Sequence, residues 1–369
     1  MKKIIYAFSV ILLILGTSFI LIFTIPPNNS MKTMIISSND DLIELNLPGS
    51  GEIGDPYIIE NTEFGLDDTN VQGYVSLLSI SGTTKHIIIR DNSFIGGFIG
   101  IQIKSVNEGT IIINDNYFEY SQFCIEDFCI TSYYAMKISL SSNVEIRDNM
   151  FKESNYIGYI YGVFFEESYN LIIEDNKISS FYGIYGIYSN NFLINRNTYY
   201  ETVDNYFEYC SFFNITQNTH DYLFRFKVVN SYSVEIAENR IIGYNISFGF
   251  LIYDSSFVVV RENVFYKNIV GVRMSGSSDS IITKNIFNYG FSHAIELGYD
   301  TDDNLIFENH FFYNNIAANP PLQAYDSGNS NTWYDSDNLI GNYWSNLGSN
   351  STYTIEGSAY SIDVYPETI

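Results

Sequence analysis

Basic side chains are scarce. Only 18 Lys and Arg stand against 42 Asp and Glu in 369 residues, a formal net charge of −24. Binding to DNA or RNA rests on neutralising phosphates with Lys and Arg, so this balance excludes a nucleic-acid partner. An anionic membrane surface is disfavoured on the same ground. Three cysteines are too few for a disulfide framework. Charge of either sign is low at 16%, against about 25% in an average domain. Helical periodicity is missing from most of the chain. What is abundant is aromatic: 32 Tyr and 28 Phe exclude disorder and imply one large core.

Lys2 and Lys3 precede an apolar run from Ile4 to Ile25, closed by Pro26 and Pro27. As a helix its 22 residues reach about 33 Å, enough to cross a bilayer core of about 30 Å. The run lacks a small-x-small cleavage site, so residues 1–25 read as an uncleaved signal anchor, with a removed signal peptide as the alternative. In either case the rest is exported and displayed at the cell surface or secreted. Asn-x-Ser/Thr acceptors stand at Asn28, Asn214, Asn245 and Asn350, weak support in an Asn-rich chain. Residues 26–41 read as a polar linker, 42–345 as the repeat domain and 346–369 as a closing segment.

A repeat organises the domain. IIIRDNSF (87–94) returns as IIINDNYF (111–118), VEIRDNMF (144–151), LIIEDNKI (171–178), FLINRNTY (192–199), FNITQNTH (213–220), VEIAENRI (234–241), VVVRENVF (258–265), IITKNIF (281–287) and LIFENHF (305–311). Each unit carries a polar turn, a short alternating strand of β-branched residues, an Asn, and an apolar residue two places on. Several units add a strand opened by glycine, at Gly100, Gly162, Gly249 and Gly271. Units of about 21 to 24 residues with one apolar face per strand cannot bury that face alone and must stack. The expected fold is therefore all-β: a single-stranded parallel β-helix of ten to twelve rungs, preceded by one hydrophobic helix.

The repeated Asn92, Asn116, Asn149, Asn176, Asn197, Asn218, Asn239, Asn263, Asn285 and Asn309 read as a structural ladder. Each is expected at a sharp bend in a left-handed conformation, its amide bonding to its equivalents in adjacent rungs. The residue two places later turns inward to form an apolar stack, which makes His220 a core residue and no ligand.

These repeats resemble the right-handed parallel β-helix proteins grouped with the periplasmic copper-maturation protein NosD and the carbohydrate-binding and sugar-hydrolase (CASH) domains. GSGEIGDPYIIEN (49–61), GNYW (341–344) and DVYP (363–366) are similar to that group's opening and closing segments. The resemblance implies a right-handed coil and raises two activities. Copper handling needs clustered soft or imidazole ligands. His86, His220, His293 and His310, six Met and three Cys show no pair at ligand spacing, so neither metal nor cofactor is expected. Polysaccharide chemistry is suggested because the fold resembles pectate lyases, polygalacturonases and uronate epimerases, but their motifs are absent as sets.

The remaining candidates are surface features. Asp300, Asp302 and Asp303 form the densest acidic cluster, with Asp279 and Asp254 at comparable turns; turn chemistry accounts for them. Arg273 and Glu296 occupy matching outward positions and read as a cross-strand ion pair. Cys124 and Cys129 could bridge, leaving Cys210 free, or all three could be small buried hydrophobes. Tyr182, Tyr185 and Tyr188 fall on strands that alternation turns partly outward, as stacking on sugar faces requires. The function read from these features is a surface-anchored, non-catalytic glycan-binding or adhesion module whose partner is a polysaccharide or cell-surface glycan. The competing reading is a polysaccharide-acting lyase, hydrolase or epimerase.

Overall fold

Like pairs with like along the whole repeat. The computed structural model describes residues 12–14, 17–19, 33–65, 76–120, 124–125, 128–129, 132–153, 159–179, 182–200, 204–221, 225–319 and 321–367. Successive repeats donate strands in turn to three parallel sheets. The first has eleven strands, from Tyr57–Glu60 to Leu305–Phe307; the second has twelve, from Glu63–Gly65 to Tyr343–Trp344; the third has twelve, from Met34–Ile36 to Ala324–Asp326. The chain is an all-β parallel solenoid with almost no helix. Its core is the column enclosed by the three sheets, because alternation sends every second side chain inward: Ile87 and Ile89 lie over Ile111 and Ile113, and these over Val144 and Ile146, all fully buried.

The turn from the first sheet to the second is two residues long throughout, and after the first rung, where it is Asn61-Thr62, its second residue is the ladder Asn. The sequence reading puts the left-handed conformation on that Asn; the structure puts it one place earlier. There φ runs from 51° to 58° at Asp91, Asp115, Asp148, Asp175, Arg196, Gln217, Glu238, Glu262, Lys284 and Glu308. The division is physical. The preceding residue is polar, points to solvent and can adopt the turn conformation, which leaves the Asn free to aim its amide into the wall. The backbone N–H and Nδ2 of Asn218 both donate to Oδ1 of Asn239, at 2.9 and 3.0 Å, while Nδ2 also reaches the carbonyls of Ile194 and Thr216. All ten ladder residues are buried, and each satisfies backbone groups that a tight turn leaves without ladder partners.

Inside the second sheet runs the apolar column. Phe64, Phe94, Phe118 and Phe151 stack with ring centroids 4.8, 4.8 and 5.0 Å apart, and Phe265, Phe287, Phe311 and Trp344 continue at 4.7, 5.2 and 4.1 Å. Gly271 sits against this column: a Cβ there would lie 2.5 Å from Cδ1 of Phe287. His220 is buried in the same column, stacked on Tyr199 at 4.2 Å, and burial holds its pKa well below the ordinary imidazole range. A second internal ladder, at the turn from the third sheet to the first, passes through Ser141, Ser168 and Ser189 and resumes at Ser231, Ser255 and Ser277; Cys210 occupies the rung between.

The ends depart from the sequence reading. Met34–Ile36, within the segment read as a linker, is a strand pairing with Leu78–Ile80, and the short helix Asn39–Glu44, capped by Ser38, buries Leu42 over the first rung. The expected N-terminal helix is not found among the described residues. The only described pieces of residues 1–25 are strands, Leu12–Ile14 and Thr17–Phe19, paired antiparallel; in the sequence Gly16, a poor helix former, falls between them. No helix among the described residues is long and apolar enough to cross a membrane. The remainder of the proposed anchor, and Asn28, lie outside the described residues.

Candidate functional site

The parallel register turns single outward positions into rows that run the length of the solenoid. One row on the third sheet passes through Lys137, Phe164, Tyr185, Tyr206 and Lys227, then Leu251, Arg273, Glu296 and Tyr325, and ends where Tyr325 bridges to Glu356 of the closing segment. A parallel row three residues earlier holds Tyr134, Tyr161 and Tyr182, stacked at 4.9 and 4.8 Å, followed across a register shift by Asp204. With about 4.8 Å per strand, the stretch from Tyr185 to Glu296 is about 24 Å long.

Its aromatic half is packed and rimmed by ion pairs. Tyr185 stacks on Tyr206 at 4.6 Å and meets Tyr182 edge to face at 6.2 Å. Lys137 lies over the Tyr134 and Phe164 rings and reaches Glu166 at 3.4 Å; Arg225 and Lys227 hold Asp204 at 2.8 and 3.3 Å. Burial, with a hydrogen bond to Glu208, pushes the Tyr206 hydroxyl up to about 12, and burial also raises Tyr185. These phenols stay protonated at any physiological pH, and the faces they offer are apolar with hydroxyl edges.

The other half carries the acid–base groups. Arg273 donates from Nε and an Nη to Oε2 of Glu296, the first at 2.8 Å. Behind Glu296 stands His293, with Nδ1 3.5 Å from Oε1 of Glu296 and Nε2 2.8 Å from Oε2 of Glu356. Asn315 Nδ2 also approaches Nε2 at 3.2 Å, and Ser292 donates to Glu296. Burial lowers the His293 pKa, but contact with two carboxylates outweighs it and the net direction is up. Burial raises Glu296, but the hydrogen bonds and charges of His293 and Arg273 prevail and hold it below the usual carboxylate range. The set is thus an ionised carboxylate held between the Arg273 guanidinium and the His293 imidazole, with a second, half-exposed carboxylate on the far edge of the imidazole.

Among the other residues singled out in the sequence, Tyr182 and Tyr185 share this face. Tyr188 does not: it lies in the turn beyond it, at φ 50°, stacked on Tyr209 at 5.0 Å. Asp300, Asp302 and Asp303 occupy the turn from the third sheet to the first, where Oδ1 of Asp302 accepts from the Asn329 backbone at 2.9 Å and Asp303 sits at φ 56°. No group of three or more His, Cys, Asp or Glu among the described residues could hold a metal ion. His86 bonds Thr110, His220 is in the core and His310 packs on Tyr343, so the histidines do not gather into a copper site. Cys124 faces Cys129 across a short antiparallel pair, and Cys210 is buried with a free thiol. Sequence reasoning found Arg273 and Glu296 but missed His293 and Glu356. The signal for His293 was its place three residues before Glu296; Glu356 had none, since it comes from outside the repeat.

The family model described as Periplasmic copper-binding protein (NosD) matches residues 206–349. The chain resembles the NosD family. No curated protein matches it. Among solved structures it is similar to DFA-IIIase from Arthrobacter chlorophenolicus A6 in complex with GF2, at 13% identity and a TM-score of 0.44, over 67% of this chain and 66% of that one. It is similar to alginate lyase from Paenibacillus sp. str. FPU-7 at 10% identity and 0.39, over 75% and 94%, and to GH136 lacto-N-biosidase from Eubacterium ramulus at 11% and 0.35, over 69% and 52%. The chain thus spans just under two thirds of the first of these enzymes, and the likeness is one of fold. The expectation of a non-catalytic binding or adhesion module is corrected on this comparison: the three solved structures just given are named as enzymes. The sequence search for a carboxylate pair stopped at the repeat, whereas Glu356 enters from the closing segment.

Proposed function

We propose that the protein is an exported polysaccharide-acting enzyme, a right-handed β-helix of ten to twelve rungs that lays a glycan along the outer face of the third sheet and cleaves it at the Arg273, His293, Glu296 and Glu356 cluster. The observation that carries this reading is the placement of two carboxylates on opposite nitrogens of one imidazole, at the end of an aromatic row. Cleavage of a glycosidic bond needs one carboxyl group to protonate the leaving oxygen and another, ionised, to act on the anomeric carbon or on a water. Glu296, held ionised by Arg273 and His293, fits the second role. Glu356, the more exposed carboxylate, fits the first, taking up from solvent the proton that it delivers, while its bond to His293 orients it. Tyr185 and Tyr206 supply apolar faces for sugar rings. Export is supported by the description of the NosD family as periplasmic, and attachment through residues 1–25 belongs to the same proposal. The test is product analysis: the purified protein, incubated with neutral and acidic polysaccharides, releases new reducing ends, and Glu296→Gln abolishes the release.

A further inference from the structure

The rim where the first sheet begins contains an outlier. A column of residues in register there, Asn143, Asn170, Asn191, Phe212, Ser233, Phe257, Asp279 and Asp303, has φ between 52° and 57° at every rung. Short polar side chains suit this left-handed conformation, and Asn191 donates to Asn170 and Asn170 to Asn143 in an exposed ladder. Phenylalanine does not suit it, yet two rungs carry one, and both rings are exposed, Phe212 by 60% and Phe257 by 50%. Neither the backbone nor burial explains them, and a strained, exposed apolar residue points to a use at the surface.

In the column Ser233 stands between the two, and on its turn side the Tyr232 ring meets both edge to face, Phe212 at 5.8 Å and Phe257 at 5.1 Å. On its strand side a cleft of about 450 Å³ opens, lined by Phe212, Asn214, Ser233, Glu235, Phe257 and Val259, within the range of small-ligand sites. Asn214 is exposed and begins the acceptor triplet Asn214-Ile215-Thr216. Strand alternation puts Asn214 and Thr216 on the same outer face, two residues beyond Phe212.

We propose that Asn214 carries an N-linked glycan whose first sugar ring sits in the cleft between Phe212 and Phe257. In the attachment the Asn214 side-chain nitrogen forms a bond to the anomeric carbon of an activated glycosyl phosphate donor; the glycosyl–oxygen bond to phosphate breaks, phosphate leaves with that electron pair, and the amide proton passes to a base of the transferase. The rings then cover the apolar face of the sugar while Ser233 and Glu235 meet its hydroxyls. This inference rests on export and not on the catalytic reading, so an inactive protein that is glycosylated would refute only the latter.

The experiment is peptide mass mapping of the full chain purified from the cells that make it, followed by thermal unfolding of four forms of that protein: native sequence, Phe212→Ala with Phe257→Ala, Asn214→Gln, and all three changes together. The expected result is a hexose-bearing mass on the Asn214 peptide and a fall in melting temperature of a few degrees for the double Ala variant that disappears in the Asn214→Gln background. An unmodified Asn214 peptide overturns the proposal. A modified peptide with the same fall in both backgrounds overturns the seating of the sugar in the cleft.

Discussion

Asn342 donates from its backbone N–H and from Nδ2 to Oδ2 of Asp363, at 2.8 and 3.3 Å, and there the asparagine ladder ends on a carboxylate. Every ladder Asn donates toward the next rung, so the amide dipoles point the same way and their positive end meets Asp363, which also accepts from the Trp344 indole at 2.9 Å. Burial raises the Asp363 pKa despite these donors. A carboxyl with a raised folded pKa favours the native state most where it is protonated and loses that favour as pH climbs past its unfolded value. Asp363→Asn, which keeps an acceptor without the buried charge, should therefore match or exceed the parent in stability at neutral pH. Asp363→Leu should cost about 2 kcal/mol or more by leaving the Asn342 and Trp344 donors unanswered. Chemical denaturation of the three proteins checks the ordering.

Within the ladder, Asn218→Leu removes an acceptor for Asn197 and donors to Ile194, Thr216 and Asn239. The expected cost is about 1 to 3 kcal/mol. An unchanged midpoint in denaturant would show that these bonds contribute nothing.

Cys210 stands in the serine ladder, and burial pushes its thiol up to about 12. Thiol reagents should leave it untouched in the folded protein and label it on unfolding. Cys210→Ser should fold with equal or greater stability, because the hydroxyl continues the ladder on both sides. Rapid labelling of the native protein would contradict its placement.

His220 is neutral in the apolar column, with its pKa lowered by burial. The unfolded chain takes up a proton near pH 6.5 that the native chain refuses, so the stability this residue leaves intact above that pH declines as pH falls below it. Replacing it with Phe, the commonest residue of the column, should flatten that acid limb. The readout is the denaturation midpoint of both proteins between pH 7.5 and about pH 5, a range that brackets the free imidazole.

The legible part of the molecule is the part that repeats. The pairing of a polar residue with Asn in a two-residue turn, the inward Phe two places on and the outward position of Arg273 over Glu296 follow from period alone, since parallel stacking gives every rung the same constraints. The position of the strain did not follow, because Asp91 and Asn92 are both residues that tolerate a left-handed backbone, and only the direction of the amide decides between them. The closing segment was opaque for the opposite reason. Glu356 reaches the third sheet through an isolated bridge to Tyr325, and Asp363 reaches the asparagine ladder and the second sheet through side-chain bonds to Asn342 and Trp344, with no periodic neighbour to announce them. His293 is placed by the irregular turn before Ile295–Leu297, where chain length varies from rung to rung.

The central claim is that Glu296 and Glu356 act together on a glycan lying along the third sheet. Its most direct measurement is product release from a polysaccharide panel by the parent protein, Glu296→Gln and Glu356→Gln, with melting curves to show that all three are folded. Chain-cleavage products from the parent, and a loss of at least about a hundredfold in each variant, are the predicted result. No products from a folded parent, or products undiminished in both variants, would contradict it.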